Sequence, residues 1–200
     1  MLEELYFASK RRYPGRKPRE IHFVTSNENK AKEAEAILGI PVKIIKQEIN
    51  EIQSMDLEKV VRKKAEEAYK LVKKSLFVED VGVYVEAWNG FPGPFTRYLY
   101  DCGGAELFVR MMNTEKNRNV AAKVAIGFHD GQQVRVLTGE IKGIIAGEVR
   151  GSHGWGWDPI FIPEGYGKTI AELGPEIKNK ISARAIVLQK FKKLLNSNNS

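Results

Sequence analysis

Little in this sequence would cross-link the chain or anchor it in a membrane. It contains a single cysteine, Cys102, so an internal disulfide is excluded, which favours a reducing compartment. No apolar run approaches the roughly 18 residues that a membrane span needs, and the N-terminus has no apolar secretory core. His129 and His153 have no partner at metal-ligand spacing. These absences predict a cytoplasmic protein with no membrane partner.

Acidic residues are also fewer than basic ones, and part of the imbalance lies at one end of the chain. The sequence has 32 Lys and Arg against 25 Asp and Glu, a net charge of +7. Residues 1–20 contribute +3 of it, which leaves +4 for the other 180 residues. No zinc finger, RNA-binding aromatic signature or helix-turn-helix spacing accompanies the charge. A nucleic-acid partner is therefore not expected. We divide the chain into a basic arm (1–19), one domain (20–196) and a polar tail (197–200).

The first half of the domain alternates between strand and helix patterns. The β-branched run "IHFVT" predicts a strand, and a helix follows with Ser26 or Asn27 as its cap and Gly39 as its stop. "VKIIKQ" predicts a second strand. Asp56 begins a long helix. Its apolar face is Leu57, Val60, Val61, Ala65, Ala68, Leu71 and Val72.

The second half is dominated by alternating apolar and polar residues. "LFVEDVGVYVEA" predicts a strand interrupted by two acids and a glycine, and "WNGFPGPF" predicts a loop. Residues 120–149 predict a long hairpin with "HDGQQ" as its turn. A single helix is predicted from about Pro175 to Asn196. This order predicts an α/β fold with a mixed sheet.

A phosphate site is possible where the first strand runs into its helix, in "VTSNENK". Backbone N–H groups and the positive end of the helix dipole point out of such a turn, and Lys30 lies about one turn into the helix. An ordinary capped helix with a solvated lysine fits the same residues. The turn has no glycines, so neither a Walker loop nor a dinucleotide fingerprint applies.

Carboxylates near this turn could hold a metal ion. Glu79 and Asp80 are adjacent at what we take for a strand end, so at most one of them faces the core side. Mg²⁺ needs only a few carboxylates plus phosphate oxygens and water, and Glu51 could supply a third. Solvated acids are the alternative. Lys64 lies on the apolar face of its helix, either snorkelling to solvent or turned towards a buried anion.

Two further segments could contact an aromatic ligand. In "GWGWDP", Trp155 and Trp157 could stack on a flat heterocycle while Asp158 accepts hydrogen bonds from ring N–H groups; a hydrophobic lid over the core is the alternative. In "EIKNKISARA", Lys178, Ser182 and Arg184 could supply a cation, a hydroxyl and a planar fork. The alternative is that these residues form a basic helix face exposed to solvent.

Taken together, "VTSNENK", "FVEDVGVYVEAWNGFPGPFTRY", "GWGWDPIFIP" and "AELGPEIKNKISAR" occur in the order and spacing of the inosine triphosphate pyrophosphatase family, also called the Ham1-like family. The chain resembles that family from about Ile21 to Phe191. The resemblance implies an elongated mixed sheet flanked by helices, two lobes with a central cleft, and a homodimer. It also implies a Mg²⁺-dependent hydrolase that cuts noncanonical purine triphosphates (ITP, dITP, XTP) to the monophosphate and pyrophosphate.

The resemblance also implies a role for each motif residue. The catalytic residues would be Asp80, as general base, with Lys30 and Lys64. Metal ligands would be Glu51 and Asp80, with Glu79 beside them. The substrate-binding residues would be Thr25, Ser26, Asn27, Lys30, Val81, Trp155, Gly156, Trp157, Asp158, Lys178, Ser182, Ala183 and Arg184. Arg184 would close the pocket on the purine oxygen at C6.

Three departures from the family concern the base pocket. The family usually has Ser-His-Arg where this chain has Ser182-Ala183-Arg184. Val81 replaces a residue that is usually small or hydroxylated, and tryptophans replace the more usual phenylalanine and tyrosine at 155 and 157. Hydrolysis with relaxed base selectivity and a non-catalytic nucleotide- or nucleic-acid-binding protein are therefore retained as alternatives.

Overall fold

The strands form one seven-stranded mixed sheet in the computed structural model, which describes residues 20–197. In chain order the strands are β1 (Ile21–Val24), β2 (Val42–Ile45), β3 (Leu76–Val85), β4 (Pro92–Gly93), β5 (Asn119–His129), β6 (Val134–Ile145) and β7 (Phe161–Pro163). The order across the sheet is β2-β1-β3-β5-β6-β7, with β4 paired to β3. The pairs β2-β1 and β1-β3 are parallel, and the others are antiparallel. The predicted mixed α/β fold is confirmed.

Five α-helices flank this sheet in residues 20–197. They are α1 (Glu28–Leu38), α2 (Leu57–Val72), α3 (Thr96–Met112), α4 (Ile170–Ile181) and α5 (Ala183–Ser197). None of the helices in this part of the chain is long and apolar enough to cross a bilayer. The predicted arm (1–19) and the last three residues of the predicted tail lie outside the described residues, and Ser197 ends α5.

The ends of α1 and α2 follow the capping residues in the sequence. Asn27 caps α1 by accepting a hydrogen bond from the Lys30 backbone N–H, and Gly39 ends the helix with φ of 69°. Glycine adopts this left-handed backbone conformation without steric cost. Asp56 caps α2 in the same way through the Lys59 N–H. Both predicted helices are confirmed, although Leu71, assigned to the apolar face of α2, is 58% exposed.

Apolar residues cover both faces of the sheet. One face packs against α1 and α5 through residues that include Phe23, Phe77, Ile126 and Phe191. The opposite face packs against α2, where a Cβ at Gly127 would come within 2.7 Å of the Val61 carbonyl oxygen. Further along β3 and β5, the face that packs against α5 also contacts α3, and the apolar residues there form a third cluster. The sheet is therefore the frame between two helical layers.

Two predictions about local structure were wrong. Glu79 and Asp80 lie in the middle of β3, which runs through them without interruption. The terminal helix is two helices, because Ser182 is extended (φ −64°, ψ 157°) and its hydroxyl oxygen accepts a hydrogen bond from the Ala185 N–H at the start of α5. The first of the two starts with an unpredicted turn at Ile170, where Thr169 and Glu172 form a capping box, and is interrupted at Gly174 (φ 81°), so that a helical segment begins at Pro175 as predicted.

Helix α3 was not predicted at all. Its geometry is interrupted at Gly103 and Gly104, where φ is 177° and 64°. Two short helical segments joined by glycines do not produce the sustained 3.6-residue apolar period by which a helix is found in a sequence. The second segment is held in place by burial of Phe108, Val109 and Met112.

Candidate active site

The loop between β1 and α1 opens into the larger of two cavities at the site, which we call the main cleft. Thr25 and Asn27 order this loop: the Thr25 hydroxyl accepts a hydrogen bond from the Asn27 N–H at 3.1 Å. The main cleft has a volume of about 990 Å³. Its lining includes ten of the predicted site residues besides Thr25, namely Ser26, Asn27, Lys30, Glu51, Lys64, Glu79, Val81, Trp155, Gly156 and Trp157.

A buried ion-pair cluster lies under the first turn of α1. Both oxygens of Glu79 accept hydrogen bonds from Arg184, from Nε and Nη2, each at 2.9 Å. The Lys30 ammonium lies 3.3 Å from the same carboxylate. Burial would raise the pKa of Glu79, but Arg184 and Lys30 outweigh it and lower the pKa to about 2. Glu79 is therefore ionised and fully engaged by cations, which differs from the predicted metal-ligating role.

The second acid of β3, Asp80, faces the opposite layer. Lys64 extends from α2 with its ammonium 3.7 Å from Asp80 and 2.7 Å from Glu51. Its side chain is only 15% exposed, so Lys64 is turned inward rather than snorkelling to solvent. Glu51 and Asp80, which are 29 positions apart in the sequence, thus converge on one cationic group.

Around Asp158 the structure brings together residues from a loop and two helices. One oxygen of Asp158 accepts hydrogen bonds from the Trp155 backbone N–H at 2.8 Å and from the Lys178 ammonium at 2.7 Å. Burial raises the pKa of Asp158 against the opposing effect of Lys178. Gly154 has φ of 82°, and a Cβ there would clash with the Asp158 side chain. The glycine is thus required for the loop to wrap closely around this carboxylate.

The second cavity, which we call the tryptophan cavity, lies beside this carboxylate and measures about 40 Å³. Its lining contains seven of the predicted residues: Trp155, Trp157, Asp158, Lys178, Ser182, Ala183 and Arg184. The two tryptophans line both the tryptophan cavity and the main cleft. The predicted phosphate and base groups therefore lie on the two sides of one aromatic pair.

Glu33 is a central residue of the site that the sequence reasoning missed. Its carboxylate accepts hydrogen bonds from Trp155 Nε1 at 3.0 Å and from Arg184 Nη1 at 2.6 Å, and Lys178 Nζ lies at 2.8 Å. Burial would raise the pKa of Glu33, yet Arg184 and Lys178 lower it below its ordinary value. The available signal was spacing, because Glu33 follows Lys30 by three positions and so shares its helix face.

Tyr100 was also missed, and no pattern in the sequence singled it out. It lines the main cleft from α3. Its hydroxyl is buried and has no hydrogen-bond partner among the described residues. Burial, with a smaller effect of Asp158, raises its pKa. The residue lies in the interrupted helix that the sequence did not reveal, which explains why it was overlooked.

The fold and the site define an α/β protein in which a cleft lined by a helix N-terminus and two lysines lies beside a cluster of aromatic and charged side chains. The profile of the Ham1 family matches residues 21–194. The chain therefore belongs to the Ham1 family.

Individual relatives and solved structures agree with this assignment. The dITP/XTP pyrophosphatase of Ignicoccus hospitalis is 41% identical over 182 residues, covering 88% of this chain and 97% of that protein. That of Thermococcus kodakarensis is 41% identical over 181 residues, covering 89% and 98%. The structure of the Staphylococcus aureus Ham1 protein matches with a TM-score of 0.78 and 26% identity, over 89% of this chain and 98% of that one.

Proposed function

We propose that this protein hydrolyses noncanonical purine nucleoside triphosphates (ITP, dITP and XTP) to the nucleoside monophosphate and pyrophosphate. The observation that carries the proposal is the shared wall: Trp155 and Trp157 border both the main cleft and the cluster around Asp158. A ligand with a phosphate chain in the main cleft would place its base at these tryptophans. The names of the relatives, dITP/XTP pyrophosphatase, agree with such a ligand.

The phosphate chain would be bound by the start of α1. Free N–H groups in the first turn and the helix dipole favour an anion there, and Lys30 adds a cation on the same side. Burial lowers the pKa of Lys30, and Glu79 opposes that effect. The Glu79–Arg184 pair beneath it would keep the Lys30 ammonium fixed in orientation, which lowers the cost of organising the site for catalysis.

Asp80 would act as the general base. Water is a poor nucleophile, so a carboxylate must accept its proton while its oxygen forms a bond to phosphorus and the α–β anhydride bond breaks. Asp80 is half-buried, and its partner Lys64, whose ammonium lies 3.7 Å away, lines the main cleft. Lys64 would stabilise the charge that develops on the phosphate oxygens.

The residues present fit a Mg²⁺ ion held by Glu51 and Asp80. Both carboxylates converge on a cation, the Lys64 ammonium, and hard oxygen ligands suit Mg²⁺. No group of three His, Cys, Asp or Glu side chains in residues 20–197 is arranged for a metal, so phosphate oxygens and water would complete the coordination. When bound, the ion would polarise the phosphates. Glu79 is left out of this set, because Arg184 occupies both of its oxygens.

A substrate panel tests this function. The protein is incubated with ITP, dITP, XTP and ATP in the presence of Mg²⁺, and pyrophosphate and orthophosphate are measured separately. We expect pyrophosphate release from the deaminated purines and much slower release from ATP, because a site built to donate to a 6-oxo group leaves donors unpaired against an amino group. Orthophosphate as the product, or no turnover of any nucleotide, would exclude the proposed reaction.

We further propose that the enzyme works as a homodimer in the cytoplasm. The face of the sheet opposite the α3 cluster contains a concavity with a volume of about 660 Å³. Charged side chains line it (Glu86, Lys123, Lys142 and Glu164), together with the exposed Ile144 and Tyr166. Mixed charges around apolar side chains suit a two-fold contact. Light scattering of wild type and Ile144→Arg tests it: a wild-type monomer, or an unchanged dimer in the variant, would contradict this surface. The lone, exposed Cys102 suits a reducing compartment.

A further inference from the structure

Trp155 and Trp157 separate the main cleft from the tryptophan cavity, and the tryptophan cavity is too small for a purine. It measures about 40 Å³, whereas a single water needs about 10–15 Å³ by the same measure. The space is therefore enough for roughly three waters, and a purine has nine ring atoms before any substituent is counted. The main cleft, at about 990 Å³, easily accepts a nucleotide.

The groups suited to read a base are on the far side of this wall. Asp158, Lys178 and Arg184 line the tryptophan cavity and are absent from the lining of the main cleft. A base that remains in the main cleft meets the tryptophan rings but not these polar groups. Contact with Asp158 and Lys178 thus requires one of the two rings to move.

Trp155 is the ring that is fixed by specific bonds. Its indole N–H donates to Glu33 at 3.0 Å, and its ring lies under two cations, with Lys178 Nζ at 4.9 Å and Arg184 Cζ at 4.8 Å from the ring centre. Both cations also bind Glu33. An indole has only this one donor, so the bond to Glu33 defines one position of the ring.

We propose that Trp155 is a gate between the main cleft and the polar groups behind it: Glu33 holds its indole in the closed position, and a purine must displace the ring to reach Asp158 and Lys178. The inference rests on the proposed hydrolysis of purine triphosphates. A ligand that binds only the open form has an apparent affinity reduced by the fraction of protein that is open. The hydrogen bond between Trp155 and Glu33 therefore raises the KM of every nucleotide whose base enters, and leaves ligands without a base unaffected.

Two variants isolate the bond. Trp155→Phe keeps an aromatic ring without the donor. Glu33→Gln keeps Trp155 but leaves only a neutral amide oxygen as acceptor, which weakens the hydrogen bond, and Arg184 retains both of its bonds to Glu79. We expect each variant to lower the KM for ITP by about 2- to 10-fold, the range of a net side-chain hydrogen bond. The double variant should lower it no further than Trp155→Phe alone, because phenylalanine has no donor for residue 33 to bind.

Inorganic tripolyphosphate is the baseless control ligand. Its inhibition constant should be the same in wild type and in both variants, since it occupies only the phosphate part of the main cleft. Trp88 and Glu115 provide a matched pair elsewhere, with the Trp88 indole N–H donating to Glu115 at 3.1 Å. Trp88→Phe and Glu115→Gln should leave the KM for ITP unchanged.

The gate is overturned if Trp155→Phe and Glu33→Gln leave the KM for ITP unchanged or raise it, or if the tripolyphosphate constant changes in parallel. The substrate panel with wild type separates this failure from that of the proposed function. If wild type hydrolyses ITP and the variants have the same KM as wild type, the gate is excluded and the proposed function stands. If wild type hydrolyses none of the nucleotides, titration with inosine monophosphate decides: the emission of Trp155, obtained by subtracting the Trp155→Phe spectrum, shifts if the ring is displaced. A constant emission overturns the gate in that case too.

Discussion

Glu79 and Asp80 are adjacent in β3, and their carboxylates bind cations on opposite faces of the sheet. Glu79 faces α5, where Arg184 donates two hydrogen bonds to it. Asp80 faces α2, where the Lys64 ammonium lies 3.7 Å away. Alternation of side chains along a strand produces this separation. It gives the two acids different surroundings: one is part of a buried ion-pair cluster, and the other is paired with Lys64, which lines the main cleft.

Asp80→Asn should remove most of the activity and little of the stability. The amide cannot accept a proton from water, and loss of a positioned general base costs about 10²- to 10⁴-fold in rate. Since Asp80 is only half-buried, thermal unfolding should change little. The measurement is pyrophosphate release from ITP beside the melting temperature. Asp101→Asn, at an exposed acid that lines the main cleft, is the control, and an Asp80→Asn enzyme as fast as wild type would exclude Asp80 as the base.

Glu79→Gln should instead destabilise the fold. It leaves Arg184 with an uncharged partner in a buried site, and breaking a buried pair costs about 3–5 kcal/mol in the free energy of unfolding. The folded-state pKa of Glu79, about 2, lies below its ordinary 4.5. Its ionised form therefore stabilises the protein above pH 4.5, and this contribution is lost as the pH falls from 4.5 towards 2.

Urea unfolding between pH 3 and 6 checks this acid dependence. Wild type should lose stability with falling pH more steeply than Glu79→Gln, which has no carboxylate to protonate at this position. The outcome that contradicts the assignment is an equal pH slope in the two proteins. Glu176→Gln, at an exposed acid paired with Lys180, should match wild type throughout, since an exposed pair contributes little.

The sequence was sufficient to predict several of the elements that carry the candidate site, because short-range rules determine where they begin and end. Asn27 and Asp56 cap helices through their own side chains, so the loop before α1 and the direction of α2 follow from short segments. Counting from Leu57 placed Lys64 on the apolar face of α2 but left open whether it snorkels to solvent or turns inward. The hairpin of β5 and β6 followed from alternation alone.

Long-range pairing was out of reach of the same reasoning. Glu33 binds Arg184, 151 positions away, and Trp155, 122 positions away. Neither contact has a local signal, since a glutamate on a helix surface is ordinarily solvated. The position of Glu79 within β3 also depended on a distant residue: without the cations of Arg184 and Lys30, a buried carboxylate would be expected to end the strand.

Lys64→Met should change both the rate and the metal requirement. Removing the ammonium withdraws a group that would stabilise phosphate charge, and loss of such a donor costs about 10²- to 10³-fold in kcat. It also leaves Glu51 and Asp80 without the cation between them, so Mg²⁺ should bind more tightly. The gain should be roughly 5-fold or more, since unit charges 4 Å apart in water interact by about 1 kcal/mol.

Calorimetric titration of Mg²⁺ without nucleotide measures this affinity directly. Lys63→Met is the matched control, because Lys63 is on the same helix but pairs with Glu66 at the surface. Weaker Mg²⁺ binding in Lys64→Met than in wild type would show that Glu51 and Asp80 do not form the metal site. Glu51→Gln should weaken Mg²⁺ binding, because it removes the charge of one of the two proposed ligands. Its effect on the affinity is therefore opposite to that of Lys64→Met.

Ala183→His should strain the tryptophan cavity, because Ala183 is 3% exposed and about 40 Å³ does not accommodate an imidazole. Overpacking a buried site costs about 1–3 kcal/mol. Trp155 lines the same cavity, so Trp155→Phe should recover part of that loss, and the two changes should be non-additive in the free energy of unfolding. Urea unfolding of both single variants and the double variant measures the interaction free energy between residues 155 and 183. The ratio of the hydrolysis rates of ITP and GTP in the same variants measures the effect on base selectivity. Strict additivity in stability, with an unaltered rate ratio, would show that residues 155 and 183 act independently and that base selectivity is determined elsewhere.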